Sequence, residues 1–116
     1  MAQERMLKTI ANLGFGKRDA EVYVYLSEMG PQEGKIIARA LNLSRQQLYR
    51  SLKCLRKGYV VNMSVDHPAR FSAIPFEQLI ELAIRVKLEQ ARELEESREE
   101  LLSGWRSMGK RASPNS

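Results

Sequence analysis

Cysteine and histidine are almost missing from this chain, whose 116 residues include one of each, Cys54 and His67. One cysteine cannot form a disulfide within a chain, and one cysteine with one histidine cannot supply the ligands of a structural zinc site. The same scarcity leaves no convincing set of a nucleophile, a base and an orienting acid. We therefore expect no metal, no cofactor and no enzymatic activity.

Long apolar runs are also lacking. No segment approaches the roughly 18 residues that a membrane span requires, and the first residues lack the uninterrupted apolar stretch of a signal peptide. With four prolines and an apolar fraction of 43%, the composition is that of a folded domain. We expect a cytoplasmic protein with one core, one appendage and no membrane partner.

Acidic residues are missing from one part of a chain that is basic overall, with a formal charge of +5. Residues 1–75 contain twelve basic and six acidic side chains, whereas residues 76–116 contain seven and eight. Residues 34–65 contain no acid, and their basic residues are Lys35, Arg39, Arg45, Arg50, Lys53, Arg56 and Lys57. A local excess of positive charge favours an anionic partner such as nucleic acid, although a solvated surface without a ligand has the same composition.

Apolar spacing predicts three helices in the first half of the chain, over residues 1–12, 17–29 and 33–40. The second helix is apolar on more than one face, which indicates packing on several sides. The predicted inner face of the third consists of Ile36, Ile37 and Ala40.

A fourth helix is predicted over residues 45–57, after a tight connection at residues 41–43. Ser44 and Gln47 have the spacing of a capping box, in which each residue satisfies a backbone amide of the other. Leu48, Leu52 and Leu55 recur three and four residues apart, and Gly58 stands where a left-handed C-cap is expected. This predicts a helix with one apolar and one basic face.

After Gly58 the apolar period changes to that of strands. Residues 59–65 and 70–74 predict a hairpin around a turn at residues 66–69, and Pro75 then begins a long helix. The three helices that directly precede the hairpin, together with it, are the elements of a winged helix-turn-helix, an α+β and mostly α fold. In that fold the last helix of the three enters the DNA major groove and the hairpin, or wing, touches the backbone.

The side chains opposite the leucines of helix 45–57 suit base recognition, because arginine and glutamine donate in pairs to guanine and adenine edges. These candidate DNA contacts are Arg45, Gln46, Tyr49, Arg50 and Lys53. Ser44 and the first free amides of the helix could hold a phosphate, and Arg70 would contact DNA from the wing. Two alternatives stay open: Tyr49 could stack on the wing or the core, and Arg70 could pair with a carboxylate.

From Ile80 to Met108, the steps of four and three residues predict the seam of a left-handed coiled coil. We expect a homodimer through the apolar positions Ile80, Ile84, Ala91, Leu94, Leu101 and Trp105. Lys87 and Arg98 interrupt the seam, and they are expected to reach outward toward Glu95, Glu99 or the partner chain. The predicted organisation is a DNA-binding domain at 1–75, a dimerisation helix at 76–108 and a disordered tail at 109–116.

Three stretches of residues 7–80 resemble the TrmB family of archaeal winged-helix transcription regulators. They are NLGFGKRDAEVYVYLSEMG, LNLSRQQLYRSLKCLRKGYV and HPARFSAIPFEQL, in that order. The resemblance implies a dimeric DNA-binding regulator, with Arg45 and Tyr49 on recognition-helix positions and Arg70 on the wing. Gly16 replaces the usual serine cap, and Gln46 and Gln47 depart from the family pattern, so the operator preference is not transferred. Family members typically continue into a sugar-binding domain, and here we expect no effector domain.

The sequence thus predicts a nucleoid-associated transcriptional regulator that binds double-stranded DNA. One alternative is an architectural, chromatin-like protein that coats DNA through its phosphates. Another is a winged-helix adaptor that binds a protein partner instead of DNA.

Overall fold

The computed structural model describes residues 2–112, which contain six helices and three short strands. The helices are α1 (Ala2–Asn12), α2 (Lys17–Met29), α3 (Gly34–Leu41), α4 (Arg45–Lys57), α5 (Phe76–Glu96) and α6 (Arg98–Ala112). The strands are β1 (Gln32–Glu33), β2 (Val61–Met63) and β3 (Arg70–Ala73). The predicted order of helices followed by a hairpin and a long helical segment is confirmed, and the fold is mostly α with a small antiparallel sheet.

Helix α2 is buried on several sides, as its sequence predicts. Tyr23 is fully buried in it, and its hydroxyl donates a hydrogen bond of 2.7 Å to the backbone carbonyl of Ile74. Burial raises the pKa of the Tyr23 phenol, so the hydroxyl remains a donor. This bond ties the end of the hairpin to α2 immediately before the turn into α5.

The predicted inner face of α3 is wrong in two of its three residues. Ile37 is fully buried, but Ile36 and Ala40 are exposed. Neighbouring residues of a helix point about 100° apart, so Ile36 and Ile37 cannot both face the core. The face that packs inward consists of Gly34, Ile37, Ala38 and Leu41.

The connection between α3 and α4 is as tight as predicted. Asn42 adopts a left-handed conformation with φ of 54°, and the amide of Leu43 donates to the carbonyl of Ala38 over 2.8 Å. Asparagine is one of the few residues that tolerate this conformation at a helix C-terminus. The turn therefore closes α3 and allows Ser44 to begin α4 two residues later.

The sheet has one strand more than the predicted hairpin. β1 pairs antiparallel with β3, with Gln32 opposite Phe71 and Glu33 opposite Arg70. β3 is the central strand, because β2 pairs on its other side with Val61 opposite Ala73 and Met63 opposite Phe71. Two residues are too short for a periodic signal, so apolar spacing does not predict β1. β2 is also shorter than the predicted strand over 59–65.

The left-handed residue at the end of α4 is Tyr59, with φ of 64°, and not Gly58, with φ of −85°. The amide of Tyr59 donates to Arg56 and that of Val60 donates to Leu55, the two bonds of a Schellman motif. Gly58 is required for space, since a Cβ there would lie 2.5 Å from Cζ of Phe15. The predicted C-cap at Gly58 is confirmed, but the left-handed conformation expected there falls one residue later, at Tyr59.

The structure divides into two compact units, and the first one ends at Ala83. Its core is formed by apolar residues of the helices and the sheet, and it includes Leu79 of α5. Because Leu79 is fully buried, the first turns of α5 belong to this unit, beyond the expected boundary at residue 75. The core consists of Ile10, Ala20, Val22, Tyr23, Val24, Leu26, Ile37, Leu48, Leu52, Leu55, Val60, Val61, Phe71 and Leu79.

The second unit begins at Ile84 and contains the rest of α5 and α6. The predicted single helix over 76–108 is interrupted at Ser97, where serine is a weaker helix former than its neighbours. α6 continues to Ala112, so residues 109–112, expected in a disordered tail, are helical. The rest of the predicted tail, residues 113–116, lies outside the described residues.

Candidate nucleic-acid interface

Helix α4 has one face in the core and the other in solvent. Leu48, Leu52 and Leu55 are buried, and they fix the rotation of the helix about its axis. The five candidate contact residues lie together on the exposed face: Arg45, Gln46, Tyr49, Arg50 and Lys53. The amphipathic pattern that predicted this arrangement is therefore confirmed in the position of the side chains.

The N-terminus of α4 has the predicted capping box. The Ser44 hydroxyl accepts from the amide of Gln47 over 3.1 Å, and the Gln47 side-chain oxygen accepts from the amide of Ser44 over 3.0 Å. The Ser44 hydroxyl keeps its own proton for a further acceptor. The cap also holds the first turn, which carries Arg45 and Gln46, in a defined conformation.

Tyr49 lies between α4 and the wing, and it is about half exposed. Its ring meets that of Phe71 edge-on, with 6.5 Å between the ring centroids and 78° between the planes. The guanidinium carbon of Arg45 lies 5.7 Å from the centroid of the Tyr49 ring, within cation–π range. The packing on the hairpin that the sequence left open is thus observed as an edge-on contact with Phe71, a core residue of β3.

Gly34 is a positioning residue that the sequence analysis did not single out. A Cβ at this position would lie 3.3 Å from the Tyr49 hydroxyl and 3.7 Å from the Phe71 ring. Tyr49 can approach α3 this closely because Gly34 has no side chain. The signal in the sequence was a glycine at the first position of a helix, where a side chain would ordinarily be tolerated.

Arg70 begins β3 and is exposed. Its amide donates to the Ser64 hydroxyl over 2.9 Å, and its carbonyl accepts from the Ser64 amide over 2.8 Å, which closes the hairpin. Glu33 lies opposite in the register. Even so, the ion pairs found within residues 3–109, whose side chains the structure describes, are Arg92–Glu89 and Arg98–Glu95, and neither includes Arg70. The guanidinium therefore has no carboxylate partner within that part of the chain.

A groove of about 520 Å³ separates the wing from the N-terminal ends of α3 and α4. Its walls are mostly apolar and include Met63, Pro68 and Phe71. Its charged residues are Lys35 and Arg45, which are positive, and Glu33, which is negative. Lys35 belongs to the acid-free stretch 34–65 but was not among the predicted contacts. Since it lines the same groove as Arg45, it adds a cation to that surface.

The seven basic residues of stretch 34–65 are all exposed. None of them forms an ion pair with a carboxylate among the described residues. All seven lie on α3 and α4, and together they produce a positive field that an anionic polymer can neutralise. We call the exposed face of α4 together with Lys35 and Arg70 the basic surface.

Cys54 is on α4 but does not belong to the basic surface. Partial burial raises the pKa of the Cys54 thiol, and the neighbouring Asp19 carboxylate raises it further, against a smaller lowering by Lys57. A raised pKa disfavours the thiolate, which is the reactive form. His67, in the wing turn, is exposed.

The predicted dimerisation residues lie in α5 and α6 and are exposed: Ile80, Ile84, Ala91, Leu94, Leu101 and Trp105. Trp105 exposes 68% of its surface and Leu94 exposes 63%, which is unusual for side chains of this size. Arg98, at a predicted seam position, forms a 2.9 Å ion pair with Glu95. Of the two partners expected for it within the chain, Glu95 and Glu99, the first is confirmed.

No helix in the described part of the chain has the length and apolar character that a membrane span needs. Within the same residues, no group of three or more His, Cys, Asp or Glu side chains is arranged to hold a metal ion.

The family model for the sugar-specific transcriptional regulator TrmB matches residues 10–77, more than half of the chain. These residues include α2, α3, α4 and the whole sheet. No curated protein matches the sequence.

Three solved structures illustrate the fold. A possible transcriptional regulator from Methanosarcina mazei Go1 is 17% identical with a TM-score of 0.67, over 80% of this chain and 85% of that one. The archaeal chromatin protein TrmBL2 is 16% identical with a TM-score of 0.76, over 99% of this chain but 45% of its own. A mutant of Staphylococcus aureus MepR bound to an oligodeoxyribonucleotide is 16% identical with a TM-score of 0.55, over 95% of this chain and 88% of that one. At these identities the likeness concerns the fold.

Proposed function

We propose that this chain, which belongs to the TrmB family of transcriptional regulators, binds double-stranded DNA as a homodimer and acts without catalysis. The observation that carries the proposal is the exposed face of α4. It groups two arginines, a glutamine, a tyrosine and a lysine opposite the leucines that anchor the helix in the core. A helix held in this way can enter a major groove without losing its own packing.

Arg45, Gln46 and Arg50 are proposed to read base edges. They occupy the first two turns of α4, the part of a recognition helix that ordinarily approaches the bases. Arginine can bond guanine at two atoms and glutamine can do the same with adenine. Lys53, one turn further, and Ser44, at the cap, are proposed to contact phosphates, which fix the register of the helix on DNA.

Tyr49 is proposed to act in two ways. Its ring lies between Arg45 and Phe71 and so fixes the position of Arg45 relative to the wing. The part of its surface that remains exposed is left for the DNA backbone. Arg70 is proposed to contact a phosphate or the minor groove, because its guanidinium is exposed and has no carboxylate partner among residues 3–109.

We assign the two functions to the parts of the chain that the sequence predicts. Residues 1–75 bind DNA, and residues 76–108 form the dimer interface. A homodimer would present two copies of α4, and its preferred sites would then be palindromic. Such a protein would act in the cytoplasm, on the nucleoid.

The test is a fluorescence-anisotropy titration with a selected palindromic duplex and with random duplex, each at several salt concentrations. A specific regulator should bind its preferred site about a thousandfold more tightly than random DNA. Both affinities should fall with salt, because phosphate contacts release counterions. The absence of any salt-sensitive binding would contradict the proposal and would favour the adaptor alternative.

A second candidate function is architectural DNA binding. The observation that favours it is the likeness, over nearly the whole chain, to a protein described as an archaeal chromatin protein with a novel mode of DNA binding. The same titration distinguishes the two functions. A coating protein would bind both duplexes with similar affinity and would keep the salt dependence without the difference between sequences.

A further inference from the structure

The apolar stripe of α5 and α6 continues through the interruption at Ser97. The amide of Ser97 donates to Glu93 over 3.0 Å and the amide of Leu101 donates to Ser97 over 2.9 Å. Both bonds have the four-residue spacing of an α-helix. The exposed seam positions from Ile84 to Met108 can therefore be treated as one helical face.

Two cations on this face restrict how a second copy can cover it. In a parallel, in-register pair, each seam residue faces the same residue of the other chain. Lys87 would then face Lys87 of the partner subunit, and Arg98 would face Arg98 of the partner subunit. Two layers of like charge would oppose the pairing. Arg98 has its ion pair with Glu95, but no ion pair of Lys87 occurs within the described residues.

An antiparallel pair avoids both layers. The seam from residue 84 to residue 108 has its midpoint at Glu96, and a two-fold axis there would pair every seam position with a different one. The four kinds of layer would be Ile84 with Met108, Lys87 with Trp105, Ala91 with Leu101, and Leu94 with Arg98. Each cation would then face a large uncharged side chain.

We propose that α5 and α6 of two copies of this chain pair antiparallel, centred on Glu96, with Lys87 of one copy over the partner's Trp105. This inference rests on the homodimer proposed above and specifies its geometry. Trp105 is exposed, and tryptophan is the best aromatic partner for a cation. The aliphatic part of Arg98 would cover the partner's Leu94 while its guanidinium stays on Glu95.

Shifting the antiparallel register by one heptad is less favourable in either direction. One shift places Lys87 against the partner's Arg98, which restores a like-charge contact. The opposite shift moves Ile84 and Lys87 beyond the partner's seam and leaves half-exposed Ile84 uncovered. The register centred on Glu96 is the one that uses all eight seam positions from 84 to 108.

The test measures distances between spin labels in the full-length dimer by pulsed electron paramagnetic resonance. The native thiol is first removed by Cys54→Ser, since Cys54 is exposed. A single label is then introduced by Arg85→Cys or, in a second variant, by Glu96→Cys. Both positions are exposed, and neither is a seam position, so the labels should not disturb the pair.

In the antiparallel pair, Arg85 lies level with residue 107 of the other chain. At 1.5 Å per residue, the two labels at position 85 should be separated by about 33 Å along the pair. In a parallel pair they would lie side by side, about 20 Å apart or less. The Glu96→Cys labels lie at the same level along the pair in both arrangements, on its outer faces, so their distance should be the same in either case and this variant is the control for dimer formation.

A distance at position 85 that is clearly longer than the one at position 96 supports the proposal. Distances of similar length at the two positions overturn the antiparallel arrangement but leave the homodimer intact. No dipolar signal in the Glu96→Cys variant would mean that the chains do not pair there, which overturns both the arrangement and the homodimer.

Discussion

Helix α4 and the α5–α6 segment are both amphipathic, but they leave opposite faces exposed. α4 buries its leucines in the core of the first unit and presents cations to solvent. The α5–α6 segment presents Ile84, Leu94, Leu101 and Trp105 to solvent instead. One surface therefore has uncompensated charge, and the other has uncovered apolar area.

Because of this difference, the interfaces formed by the two surfaces should respond differently to salt. An interface made by the basic surface should weaken strongly with salt, because its partner releases counterions. An interface made by the apolar stripe should change little with salt, because burial of apolar area drives it. Changes to one surface should therefore leave the other interaction intact, and this independence can be tested.

The largest effect is expected from Leu94→Glu combined with Leu101→Glu. Burial of each leucine side chain is worth about 1.5–3 kcal/mol, and the pair would lose four of them. A carboxylate at position 94 would face the partner's Arg98 in the antiparallel pair, but one at position 101 would face the partner's Ala91 without a compensating charge. We expect a folded monomer in light scattering, with the dimer dissociation constant raised by on the order of 100-fold or more. Binding to a palindromic site should weaken far more than binding to a half-site.

The matched control for this double variant is Glu96→Gln combined with Glu100→Gln, which changes two exposed side chains outside the seam. It should remain dimeric. If the leucine double variant also stays dimeric, the apolar stripe is not the dimer interface.

The next effect concerns the basic surface. Arg50→Ala should weaken binding to the preferred site by about 1–3 kcal/mol if Arg50 reads a base, and the dimer should persist. Anisotropy titrations on preferred and random duplexes measure the change. Arg5→Ala, in α1, removes another exposed arginine and should leave the affinity nearly unchanged. An equal loss on both duplexes would reassign Arg50 to a phosphate contact.

Two substitutions at the C-terminal end of α4 are expected to change the free energy of unfolding and not DNA binding. Gly58→Ala would place a methyl group 2.5 Å from the Phe15 ring and should lower the free energy of unfolding by about 1–3 kcal/mol. Tyr59→Gly removes a largely exposed tyrosine from a left-handed backbone conformation. It should raise the free energy of unfolding by up to about 1 kcal/mol. Urea denaturation followed by circular dichroism checks both. Changes of the same sign would contradict the assigned roles.

The smallest effect is expected for Arg70→Ala. A phosphate contact at the wing should contribute equally to all sequences, so affinity should fall uniformly and the salt slope should decrease by roughly one unit. The measurement is the slope of log affinity against log salt for the variant and the unmodified protein. A preserved slope would remove Arg70 from the interface.

Much of the first unit could be predicted because its signals are local. The capping box at Ser44 and Gln47 and the leucine spacing of α4 each depend on a few neighbouring residues, and the structure has both. β1 could not be predicted in this way. Its pairing with β3 depends on residues almost forty positions apart, and a two-residue strand has no period of its own.

The contacts that the sequence did not predict likewise join residues far apart in the chain. The tight space at Gly58 is due to Phe15, and the close approach of Tyr49 to Gly34 depends on where β3 places Phe71. Neither contact is encoded in local spacing. The sequence could therefore predict which side chains face solvent on α4, but not that Tyr49 would bridge α4 and the wing.

The most direct test of the central claim, that two chains bind one duplex, is the mass of the complex in solution. Multi-angle light scattering should give the free protein at micromolar concentration a mass twice the 13.3 kDa of one chain. With a palindromic duplex at low salt, the complex should contain two chains per duplex. A free mass of one chain, or no complex at low salt, would contradict the account.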